Sequence, residues 1–123
     1  MHRREVVRTE EDGYATAEAA VALPALLVVL ALAVGVVVSV GAQLRCVDAA
    51  RVAARVAARG DSDSAAEQAA EGIAPRGSHV TVVHRGAQVV VVVSADTRPF
   101  GSALHVLPGV HVSARAVAEV ESP

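Results

Sequence analysis

The chain has 123 residues, 53% of them hydrophobic but only 2% aromatic, with eleven arginines, no lysine and a formal net charge of -2. That length holds one small domain beside any membrane segment, and a core almost without rings must be built from Val, Ala and Leu, which bury less area per residue. Near-neutral charge and scattered arginines leave no aromatic-interleaved basic face for nucleic acid, and a single cysteine, Cys46, excludes an internal disulfide or a multi-cysteine zinc site.

Residues 1–12 set Arg3, Arg4 and Arg8 against Glu5, Glu10, Glu11 and Asp12 without apolar periodicity, and read as a hydrophilic, non-helical leader that Gly13 ends. From Tyr14 the residues favour helix, and Ala19 to Leu44 is free of charge. Those roughly 26 residues would extend about 39 Å as a helix, against about 30 Å of bilayer hydrocarbon. The length predicts a retained transmembrane helix over 14–44, because a cleaved secretory signal has an apolar region of only about 7–15 residues. Pro24 removes one helical hydrogen bond inside the run, so a kink or loosened turn is expected near Ala20 to Leu23.

Beyond Leu44, Arg51, Arg55 and Arg59 recur every fourth residue while Val47, Ala50, Ala54 and Ala58 hold another face. The helix therefore continues as an amphipathic extension over 45–60 with Gly60 its cap, its arginines a solvated face or a contact with lipid headgroups, the alternative being a stripe that meets acidic groups on a neighbouring subunit. A small extracytoplasmic αβ head over 61–123 follows. Ser64 and Glu67 have the spacing of a capping box opening a short helix from Ala65 to Gly72.

After the turn at Pro75 to Gly77 the period changes to two. Strands are predicted at His79 to Arg85, Gln88 to Ala95 and Val110 to Glu121, the first pair joined at Gly86 and Ala87. The middle strand is apolar on both faces and should lie centrally, covered by the short helix or the outer half of the long one. A loop from Asp96 to Gly109 separates the last two strands. The fold class is α+β: a long transmembrane helix with an amphipathic continuation, a short helix and a three-stranded antiparallel sheet.

No constellation of residues points to catalysis. The five histidines, His2, His79, His84, His105 and His111, lack metal-ligand spacing and carboxylate neighbours in sequence, and read as surface or half-buried residues. Nothing in the spacing of Ser94, Asp96 and His105 supports a hydrolytic set, and no glycine-rich phosphate loop is present. No enzyme activity, metal or cofactor is expected. Cys46, just past the apolar run beside Arg45 and Asp48, reads as a small packing residue, with an intermolecular disulfide or a reactive thiol as the alternatives.

One junction stands out. GYATAE, Gly13 to Glu18, places an aromatic directly after a glycine and an acid five residues beyond it, at the mouth of the apolar run. A lone carboxylate entering lipid is costly unless it finds a partner, which makes it a functional candidate.

This junction resembles the prepilin signature of type IV pilins and pseudopilins. YATAEAAVALPALLVVLALAV, with Thr16, Glu18 and Pro24, is similar to the TadE-like minor pilins of the tight-adherence (Flp) system, and QLRCVDAARVAARVAARGD to their actinobacterial form. The resemblance covers about residues 13–60. It implies cleavage between Gly13 and Tyr14 by a prepilin peptidase, methylation of the new N-terminus, and Glu18 as the acid that docks the subunit. The implied partners are the peptidase, other pilins of a Tad/Flp pilus, inner assembly-platform membrane proteins and the lipid bilayer. The implied location is the cytoplasmic membrane, single-pass with the C-terminus outside, then the extracellular pilus, in a system of adhesion and secretion. The leader sets three arginines against four acids rather than a basic excess, and Arg45, Arg51, Arg55 and Arg59 oppose that topology under the positive-inside rule, so the orientation rests on the resemblance. The alternative is a single-pass membrane-anchored accessory protein with an uncleaved N-terminus.

Overall fold

The computed structural model describes residues 2–104 and 106–122, with side chains from residue 10 onward. The chain forms two compact units, Met1–Val34 and Gly35–Pro123. Helix α1, His2–Ala58, supplies all the secondary structure of the first and opens the second.

In the first unit the described side chains from Glu10 to Val34 are exposed, including large apolar ones such as Leu23, Leu26 and Leu30. Among the described residues, one helical stretch is long and apolar enough to cross a membrane, with a mean hydropathy of 3.0 in its most apolar part. That is compatible with a single-pass membrane protein.

The expected irregular leader is helical instead, from His2 through Gly13 without a break. Arginine and glutamate are good helix formers, and one interior glycine costs only about 1 kcal/mol, which a helix continuing on both sides offsets by cooperativity. Thr16 Oγ1 also donates a 2.8 Å hydrogen bond to the Asp12 carbonyl across the glycine. The helix continues through Pro24 as well.

In the second unit α1 ends at Ala58, where Gly60 takes a φ of 90° and its N–H donates to the Ala57 carbonyl at 3.1 Å. Only glycine adopts that left-handed conformation without strain. Helix α2 follows at Asp63–Glu71. Its N-cap is Ser62 rather than Ser64: Ser62 Oγ accepts from the Ala65 N–H at 3.2 Å. Asp63 then falls in the first turn, where an acid suits the helix dipole. The capping box expected of Ser64 and Glu67 does not form, because Ser64 is already inside the helix.

The sheet is antiparallel in the order β1-β2-β3, with β1 at His79–Arg85, β2 at Gln88–Thr97 and β3 at Val110–Glu119. The hairpin turn puts Gly86 at φ 59°, the first-position requirement of a type II′ turn. Strand β2 runs two residues further than expected and β3 stops two earlier. The Val120 N–H still donates to the Ala87 carbonyl at 2.8 Å in the register of β2 and β3, and the Glu121 N–H then turns to the Ala58 carbonyl at the end of α1 at 3.1 Å. The connecting loop holds a 3₁₀ turn, Gly101–Leu104.

Both helical segments of this unit cover the same face of the sheet. Val89, Val91 and Val93 of β2 are fully buried against Ala42, Cys46, Ala49 and Ala53 of α1 and Ala66 and Ala70 of α2. A helix face made of small residues lets its backbone approach the valines closely, so a thin core fills without aromatic rings. Burying each such valine contributes about 1.5–2 kcal/mol. On the opposite face Val83, Val90 and Val117 lie in one row across the three strands.

Candidate functional site

Gly13, Tyr14, Glu18 and Pro24 all lie on α1 in the first unit. Tyr14 is 82% exposed, and nothing lies within 4 Å of the position a Cβ on Gly13 would occupy. No side chain covers Gly13, and the bond that follows it lies within the unbroken helix. Glu18 sits one helical turn after Tyr14, is exposed, and has no hydrogen bond or ion pair with another described residue. The large apolar side chains that follow, Val21 to Val34, are also exposed. An acid and an apolar surface with no cover inside their own unit call for lipid or another chain.

The histidines find carboxylates in space that sequence proximity did not indicate. His84 Nε2 lies 2.7 Å from Asp63 Oδ1, joining β1 to α2, and His111 Nδ1 lies 2.8 Å from Asp96 Oδ1 across β2 and β3. Each pair is exposed and of the kind worth about 0–1 kcal/mol. Asp96 thus pairs with His111, while His105 lies outside the described residues. Among the described residues no group of three or more His, Cys, Asp or Glu converges as a metal site would require.

Cys46, two residues beyond the apolar run, is fully buried against the sheet, as expected of a packing residue. Burial removes the water that would solvate a thiolate and pushes the thiol up from its ordinary value. Arg51, Arg55 and Arg59 are exposed, as the stripe predicted.

Two features of the second unit escaped sequence reasoning. Phe100 packs on Gly35: a Cβ there would stand 3.0 Å from Phe100 Cζ and 3.2 Å from Cε2. Arg45, Arg76 and Arg98, from α1, the α2–β1 turn and the end of β2, line one open cavity of about 480 Å³ with Val38 and Gly41. Their separation in sequence concealed the cluster; its only local signals are that Arg45 closes the apolar run and Arg98 precedes Pro99 and Phe100.

No family model matches the chain, and no solved structure matches it. It is similar to the apoptosis inhibitor Rv3655c of Mycobacterium tuberculosis, with 43% identity over 104 residues, covering 85% of this chain and 77% of that protein.

Proposed function

We propose that this chain, which belongs to the family of the Mycobacterium tuberculosis protein, is a minor pilin or pseudopilin of the TadE-like kind. It is made as a single-pass precursor, cut after Gly13, and assembled into or used to prime a Tad/Flp type IV pilus through its apolar helix. It acts by assembly, not catalysis, and its partners are the prepilin peptidase, other pilins, the assembly platform and the bilayer.

The observation that carries this reading is the junction itself. No side chain covers Gly13, and five residues later along the same helix an exposed Glu18 precedes a run of apolar side chains that are uncovered within their own unit. A carboxylate entering hydrocarbon costs about 2.5–3.5 kcal/mol on insertion scales and more if left unpaired. Cutting after Gly13 creates an α-amine on Tyr14, and that amine on a neighbouring subunit supplies the counter-charge Glu18 lacks. Desolvated pairs of this kind fix register, because removing one partner strands the other.

The second reading, a membrane-anchored accessory protein with its N-terminus retained, draws support from the unbroken helix across Gly13, since a peptidase must unwind the bond it cuts. Glu18→Ala separates the two. As a pilin, the variant inserts and is cut normally but enters no filament and no complex with other pilins. As an anchor, it behaves like the parent in every respect, and that outcome overturns the proposal.

A further inference from the structure

The cavity in the second unit carries more basic charge than this fold uses. Arg45, Arg76 and Arg98 reach it from three separate segments, and none of them forms an ion pair with another described residue. The cavity's one carboxylate, Asp96, is already taken up by His111 at 2.8 Å. All three arginines are at exposed positions around the open cavity, and planar guanidinium forks match the oxygens of phosphate and carboxylate groups.

The surroundings narrow the choice. Along α1, Gly35 meets the ring of Phe100, Val38 and Gly41 line the cavity wall, and Arg45 stands at its rim. Polarity thus passes from apolar to basic over ten residues, about 15 Å of helix. The loop that begins at Arg98 and places Phe100 on the helix also exposes Leu104, Val106 and Leu107, at 50%, 93% and 43%. A loop that meets the charge-free helical run through Phe100 and exposes three apolar side chains, joined to a cavity lined by arginines, has the polarity profile of a phospholipid from acyl chain to headgroup.

We propose that Arg45, Arg76 and Arg98 form a phosphate site that takes the headgroup of a membrane phospholipid, with the side chains of Leu104, Val106 and Leu107 resting in the adjoining acyl region. The shared chemistry is a phosphate ester anion, and the lipid is the source. Arg45, one of the arginines that oppose the positive-inside rule, is thereby neutralised by the leaflet it faces. The inference rests on α1 spanning the membrane; it does not depend on cleavage after Gly13.

The test is native mass spectrometry of the full-length chain in mild detergent. Phosphatidylglycerol, diacylglycerol with the same acyl chains, or inorganic phosphate alone is titrated in. The parent chain is expected to retain phosphatidylglycerol, to retain little diacylglycerol, and to be unmoved by millimolar phosphate. Changing all three arginines to glutamine should weaken phosphatidylglycerol retention on the order of tenfold or more. The single variant Arg98→Gln, at an exposed position, provides the same comparison if the triple variant misfolds by circular dichroism. Equal retention by parent and variants, equal retention of diacylglycerol, or displacement of lipid by free phosphate would each overturn the assignment. Carbonate extraction of the same protein from membranes tests the spanning helix separately: release into the soluble fraction refutes the span itself, whatever the titration shows.

Discussion

Gly35→Val asks whether the head's long loop is held by one close contact. A Cβ at position 35 would come within 3.0 Å of Phe100 Cζ and 3.2 Å of Cε2, where carbon atoms ordinarily rest about 3.5–4.0 Å apart. Valine adds two methyl groups at the same spot, so the ring must leave the helix. Phe100 is half-buried, and losing that burial costs about 1–1.5 kcal/mol, half the value of a fully buried side chain. Replacing an interior helix glycine returns a few tenths. The net effect is about 1 kcal/mol, or roughly a fivefold rise in the open population of the loop. Hydrogen exchange of the amides between Arg98 and Gly109, on the full chain in detergent, reads that population. Phe100→Ala should open the loop to a similar extent and should add less than about 0.3 kcal/mol once Gly35→Val is present, because both remove one contact. Fully additive costs would refute the contact as the clasp.

Three further outcomes follow from the second unit. Ser62→Ala should destabilise the head by about 1 kcal/mol in thermal or urea unfolding, while Ser64→Ala should change it by less than about 0.5, because only Ser62 caps α2. Val91→Ala, at the centre of the buried face of β2, should cost about 2–3 kcal/mol by the same assay, the sum of lost transfer energy and a residual cavity. Cys46, fully buried and with its thiol pushed up, should react with maleimide at neutral pH only as fast as the head unfolds; rapid labelling of the folded protein would contradict its placement in the core.

Where a pattern repeats along the chain, sequence and structure agree closely. The period-two runs located β1 at His79–Arg85 and the centrality of β2, and the arginine repeat at residues 51, 55 and 59 marked the outer face of α1. Single residues were harder to place. The serine-x-x-glutamate spacing pointed to Ser64 as the cap of α2, whereas the helix opens earlier and Ser62 Oγ accepts from the Ala65 N–H. The leader's mixed charges hid a helix because they carry no apolar stripe, although their intrinsic propensity favours one. Contacts between distant positions, such as Gly35 with Phe100, Asp63 with His84 or the three arginines of the cavity, leave little local trace. Of the candidate site, the Gly13 to Glu18 junction was visible in full, because its spacing lies within one short segment.

That junction also offers the most direct test. The chain should be extracted from membranes of cells with and without an active prepilin peptidase, and its intact mass and N-terminal peptide determined. The account requires a mature chain beginning at Tyr14 when the peptidase is active and a chain retaining residues 1–13 when it is absent. A chain retaining residues 1–13 in both would contradict it.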